Sequence, residues 1–199
     1  FIFRSAASFV QSFAGIASRP SLESWQMQDL DPNPNGGLIV VGSYDSRTSN
    51  QLADLLENAP DAVVTELDVS ALVSGEIPEL PLNETITSGK TVILHTSRKR
   101  IDVDDNLTVS KTVSNALVAL VKSVEARPSF IIANGGMTAS EIATQALGIK
   151  NARVLGQILP GVPVWTMGNE TRHPGLVYVI FPGNVGGDDE LTRAYLKLR

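Results

Sequence analysis

Short apolar runs bounded by glycine or hydroxyl residues alternate with stretches of helical spacing along most of this chain. Residues 38–41 form a continuous apolar run that ends in Gly42 and Ser43, as expected of a buried strand. Residues 48–58 then carry Leu52, Leu55 and Leu56 on one helical face. A second short strand is expected at 62–67, with weaker helical patterns at 69–74 and 82–88. A third strand, 91–95, ends in Thr96, Ser97 and Arg98. Beyond a charged loop that runs to Leu107, Thr108 or Ser110 opens the longest helix. It carries Val113, Leu117, Leu120, Val121 and Val124 in register and stops before Pro128. Further strands are expected at 130–133, 153–159, 164–167 and 176–181, and a last helix at 188–198. The P-G-V-P sequence at 160–163 breaks the chain after the second of these strands. The last two read as a hairpin across 168–175.

Strands that alternate with helices predict an α/β fold of three layers: a mostly parallel sheet flanked by helices on both faces. The late hairpin adds an antiparallel portion near the C-terminus. Two stretches precede this pattern. Residues 1–18 place Phe3, Ala6, Ala7, Val10, Phe13, Ala14 and Ala17 at spacings of three and four, an amphipathic helix. Residues 19–37 hold Pro20, Pro32, Pro34, Gly36 and Gly37, and read as an extended linker before a domain at 38–199.

Composition narrows the chemistry. The net charge of −5 gives no electrostatic reason to bind nucleic acid or an anionic membrane. No cysteine occurs, which removes disulfides, thiolate nucleophiles and cysteine metal sites. His95 and His173 are far apart and form no metal-binding pair. No apolar run approaches the roughly 20 residues that span a bilayer, so a cytoplasmic protein is expected. The N-terminus lacks a basic leader and reads as a helix cut from something larger.

The stretch 131–140, I-I-A-N-G-G-M-T-A-S, carries the strongest functional signal. A buried strand meets two glycines, and Thr138, Ser140 and Glu141 then open a helix. Glycines let the backbone approach a phosphate closely, and a helix start offers unpaired N–H groups. The same turn also serves ordinary strand-to-helix connections. Three further segments fall at strand ends: G-S-Y-D-S at 42–46, T-S-R at 96–98 and P-G-N-V-G-G at 182–187. Ligands of such sheets bind beyond the carboxyl ends of the strands. Neither the P-loop nor the dinucleotide fingerprint is present.

Five motifs then occur in order: V-V-G-S at 40–43, T-S-R at 96–98, N-G-G-M-T-A-S at 134–140, V-L-G-Q-I-L-P-G-V-P-V-W at 154–165, and F-P-G-N-V-G-G at 181–187. Together they resemble the C-terminal, nucleotide-binding domain of the four-carbon acid sugar kinase family, from Gly37 to the C-terminus. Residues 1–18 resemble the helix that closes that family's N-terminal, sugar-acid-binding domain.

The resemblance implies one half of an ATP-dependent kinase acting on a threonate-, erythronate- or oxo-tetronate-like acid. It implies ATP or ADP held by Ser43, by Gly135, Gly136, Met137 and Thr138, and by Gly183, Asn184 and Gly186. Mg²⁺ is expected with the nucleotide. Asp188 and Asp189 are candidate metal ligands, although acidic residues in a first helical turn also serve the helix dipole. The family's acidic G-D-D-x-T-G-A segment has no counterpart here, so the sugar acid is expected on a missing N-terminal domain and no catalytic base is assigned. A homo-oligomer stays open. Met137 stands where many relatives carry an acidic or another residue, which keeps a second reading alive: a binding or regulatory module that has lost the chemistry. A fusion to an aldolase-type enzyme is a third.

Overall fold

The all-apolar run Leu38–Val41 forms strand β1, and each of its residues is buried. A strand that is apolar at every position is covered on both faces, which places it inside a parallel sheet. The computed structural model describes residues 4–30, 32–42, 45–98 and 106–199. In it, β1 lies between β3 (Val92–Thr96) and β4 (Phe130–Asn134), parallel to both. Strand β2 (Val63–Leu67) forms one edge beside β3, and β7 (Val177–Phe181) lies parallel to β4. Strands β5 (Ala152–Leu159) and β6 (Val162–Met167) complete the order β2-β3-β1-β4-β7-β6-β5. The α/β fold expected from the sequence is thus present, as a seven-stranded mixed sheet, mostly parallel, flanked by helices.

The late hairpin is present with Val164 opposite Val179 and Thr166 opposite Val177. The P-G-V-P sequence does more than interrupt the chain. Leu159 pairs with Val162, so Pro160 and Gly161 alone turn the chain and make β5–β6 a second antiparallel pair. Gly161 takes φ +80°, a conformation that costs glycine little and other residues much.

Helices α3 (Ser46–Asn58) and α8 (Glu190–Leu198) cover one face, with Leu52, Leu55, Leu191 and Tyr195 packed on Ile39, Val41, Ile132 and Val179. The opposite face carries α4 (Val69–Val73), α5 (Leu82–Thr87), α6 (Asn106–Lys122) and α7 (Gly136–Glu141). The last of these continues into a π-helical turn, Ile142–Ala146. Asp45 caps α3 by accepting from the Arg47 amide at 2.9 Å, and Asp68 caps α4 through the Ser70 amide at 2.7 Å. The charged loop read from the sequence falls largely outside the described residues, at 99–105.

The N-terminal part differs from expectation in two places. Helix α1 is limited to Ala7–Phe13, and Gly15, at φ +63°, follows its end. Its Phe13 is 73% exposed and stacks on Phe9, with ring centroids 5.8 Å apart. The stretch 19–37 is not extended throughout: α2 (Ser24–Leu30) forms between Pro20 and Pro32, where no glycine or proline breaks it. Met27 is buried with the α3–α8 core, and the Leu22 backbone bonds to both Gln157 and Lys197. Burial of one methionine and these anchors outweigh the breaker-rich flanks.

Candidate functional site

At the centre of the sheet, the chain leaves adjacent strands on opposite faces. It runs from β1 to α3 on one face and from β4 to α7 on the other. Such a divergence opens a crevice at the carboxyl edge, the usual ligand position in open α/β sheets.

The Gly135 turn forms one wall. Gly135 takes φ +104°, which a side chain would strain, and Gly136 opens α7. A Cβ on Gly136 would meet nothing within 4 Å, so its bare Cα faces open space. That space is a cavity of about 250 Å³, lined by residues 135–138 together with Gly42 and four residues of α6, Ser110, Ser114 and Leu117 among them. Gly42 is there for close approach: a Cβ on it would lie 2.7 Å from the Thr138 hydroxyl and 2.8 Å from Leu117 Cδ1. Thr138 is buried, whereas Met137 is 59% exposed on the cavity wall. Two contacts fix α7: the Tyr178 hydroxyl donates to Ala139 O at 2.7 Å, and Ser114 donates to Glu141. Burial raises the Tyr178 phenol above its ordinary value, so it remains a proton donor.

The Pro182–Gly187 turn stands beside it. The Gly135 amide donates to Phe181 O at 2.9 Å, which joins the roots of the two turns. Side chains of α3 hold the second turn by its carbonyls. Arg47 Nη1 donates to Asn184 O at 3.2 Å and to Gly186 O at 3.1 Å. Gln51 Nε2 donates to Val185 O at 2.9 Å and to Gly187 O at 3.0 Å. Thr48 Oγ1 lies 3.4 Å from both Gly183 O and Asn134 Oδ1, one hydroxyl hydrogen between two acceptors. Asn134 is fully buried, and its Nδ2 has no partner among the described residues. Gly186 takes φ +80°, and a Cβ there would overlap the Glu190 side chain.

The fold therefore brings Gly135, Gly136, Met137, Thr138, Gly183, Asn184 and Gly186 to one edge, on two neighbouring turns. Ser43 lies outside the described residues. Asp188 has Asn50 Nδ2 at 3.4 Å from both carboxylate oxygens, and Asp189 directly precedes α8 without a side-chain cap. Among the described residues no three acidic or histidine side chains cluster as a metal would require. Of the T-S-R segment, Ser97 accepts the Val69 amide at 3.2 Å and serves the fold. His95 is buried next to Val41, its Nδ1 3.2 Å from Thr96 O. His173 belongs to the β6–β7 connection, at the opposite edge from the Gly135 turn. A larger cavity, about 810 Å³, also opens at that amino edge, around Gly37, Thr91, Phe130 and Arg199. Two of its polar groups are engaged internally: Thr91 Oγ1 accepts the Gly37 amide and Arg199 pairs with Asp61.

Sequence reasoning missed Arg47, Thr48, Gln51 and Asn134. A signal existed for two of them. Thr48 and Gln51 lie three apart, in line with Leu52 and Leu55 on the buried stripe of α3.

The sequence profile of a family described as the nucleotide-binding C-terminal domain matches residues 38–191. The 3-oxo-tetronate kinase of Cupriavidus necator is 29% identical over 171 residues, which cover 81% of this chain and 38% of the kinase. A domain of unknown function from Bordetella bronchiseptica, solved with bound citrate as a domain-swapped dimer, superposes with a TM-score of 0.62 at 20% identity. That match covers 87% of this chain and 44% of the Bordetella chain. A protein from Haemophilus influenzae gives a TM-score of 0.63 at 18% identity, over 82% of this chain and 40% of its own. The chain thus spans less than half the length of each of these relatives.

Proposed function

The chain belongs to the family of nucleotide-binding C-terminal domains, and from that premise we propose that it holds ATP for a kinase that phosphorylates a four-carbon sugar acid. The observation that carries this reading is the glycine-walled cavity at the sheet's switch point, inside the matched span. The bare Cα of Gly136 admits a phosphate to backbone distance, Gly135 stands beside it on the cavity wall, and Thr138 offers a hydroxyl. Gly183, Asn184 and Gly186 supply a second set of backbone groups. Bound ATP supplies the phosphoryl group, and Mg²⁺ enters with it, carried by the phosphates rather than by a protein cluster. Phosphoryl transfer depends mainly on positioning and charge neutralisation, and this chain contributes the positioning of the donor.

The acid substrate, of the threonate, erythronate or 3-oxo-tetronate class, is held by the part of the full-length protein that this chain does not span. Its relative from Cupriavidus necator carries the 3-oxo-tetronate name, which supports that class. A cytoplasmic setting fits the enzyme class; among the described residues, no helix is long and apolar enough to cross a membrane. Met137, an exposed thioether on the cavity wall, favours the second reading, a module that keeps the shape and binds no nucleotide.

Calorimetric titration with Mg-ATP and Mg-ADP separates the two. The kinase reading expects binding that Gly136→Val weakens at least ~tenfold, a loss of about 1.4 kcal/mol. A Cβ at 136 meets nothing within 4 Å among the described residues, so the effect is expected on the ligand, and thermal denaturation of the variant checks that the fold is kept. A wild-type chain silent towards both nucleotides would sink the kinase reading.

A further inference from the structure

We propose that Arg47, Thr48 and Gln51 are positioning residues that hold the turn after β7 as a phosphate cradle, acting through its backbone rather than on the ligand itself. The inference rests on the nucleotide reading above and adds residues that the sequence analysis did not single out.

Four consecutive carbonyls, Asn184 to Gly187, are captured alternately by Arg47 and Gln51, and Thr48 lies against the fifth, at Gly183. In a planar trans peptide the carbonyl and the following N–H point in opposite directions. Each captured carbonyl therefore aims the next amide away from α3. The Val185 amide returns to Pro182 O at 3.2 Å. Among the described residues, the amides of Asn184, Gly186, Gly187 and Asp188 meet no protein acceptor. Consecutive amides presented by a glycine-rich turn form an anion receptor, and withdrawing the carbonyls removes the groups that would repel an anion. The Arg47 guanidinium adds positive charge at the same turn.

Gln51 serves the turn as well as the helix stripe on which it lies. It is fully buried, both hydrogens of its amide group are used on the turn, and among the described residues its Oε1 has no partner. A leucine would remove the unpaired Oε1 but would take both donors from the Val185 and Gly187 carbonyls. The glutamine is suited to holding two alternate carbonyls of the same turn.

The test uses Gln51→Met, Arg47→Met and the double variant, read by Mg-ATP calorimetry and by hydrogen exchange of the unliganded protein. Arg47 is exposed, so its variant folds even if the glutamine change proves disruptive. The expected result is faster exchange confined to 183–188, with α3 and the sheet unchanged, and Mg-ATP affinity reduced ~tenfold or more in the double variant. Arg47→Lys, which keeps charge but cannot reach two carbonyls with one planar fork, recovers only part of the affinity. Affinity within about twofold of wild type overturns the positioning role. So does loosening spread through the sheet, which marks a structural role, or lost affinity without loosening, which marks direct ligand contact. These failures differ from failure of the nucleotide reading, in which the wild-type chain itself binds no Mg-ATP.

Discussion

The hydroxyl of Tyr178 donates to the carbonyl of Ala139 at 2.7 Å, tying the sheet to the first turn of the helix that opens at Gly136. Phenylalanine at 178 keeps the ring and removes the bond. A buried hydrogen bond of this kind contributes about 1 kcal/mol, and a chain of this size loses roughly 2–4 °C in Tm with it. Tyr178→Phe is expected to show that loss in thermal denaturation. It also weakens Mg-ATP binding, because α7 loses its tether.

The same phenol carries a pH signature. Burial raises its pKa above the ordinary tyrosine value of about 10, while the unfolded chain ionises near 10. The unfolded state therefore binds fewer protons than the folded state above that pH. The contribution is fully present below pH 10 and is lost as pH rises, by at most about 1.4 kcal/mol per unit. Stability curves of wild type and Tyr178→Phe should converge between about pH 10 and 11. Parallel curves would show that the phenol is not protected.

Gly42 offers a test of close approach. Alanine there would bring Cβ to 2.7 Å from Thr138 Oγ1, and overpacking of this sort costs about 1–3 kcal/mol. Removing the hydroxyl in a Gly42→Ala, Thr138→Ala double variant relieves that overlap and leaves the one with Leu117 Cδ1 at 2.8 Å. Chemical denaturation is expected to recover part of the stability, while titration shows no recovery of Mg-ATP affinity.

His173 contributes on the acid side. Burial lowers its pKa, and the charges of Arg127 and Arg172 lower it further, partly offset by the Val124 backbone. The neutral ring is the folded form. Its contribution is present above the ordinary histidine value of about 6.5 and is lost as pH falls through it. His173→Asn should flatten the stability profile between about pH 5 and 7, with no change in Mg-ATP affinity, since His173 sits at the far edge of the sheet.

Much of this architecture was legible because β1, β3 and β4 are apolar at nearly every position and are punctuated by glycine. Local pattern could not show strand order, the β5–β6 pairing through a two-residue turn, or the π-helical turn, since those depend on tertiary partners. Helix α2 was hidden by the prolines around it, its formation decided by where Met27 docks. The Gly135 and Gly183 turns stood out as glycines at strand ends. Thr48 and Gln51 did not, because polar residues on a helix suggest solvent until a partner 134 to 136 positions away is known.

That separation bears on how the protein is made. The donors on α3 are synthesised well before the carbonyls they seize, which follow 134 to 139 residues later. A growing polypeptide can pair β1 with β4 and bury most of its core while the turn after β7 is still unbuilt. In the nucleotide reading, ATP stabilises only finished molecules, by mass action on the folded state. A series of truncated chains would gain protection by ATP only once Gly187 is included.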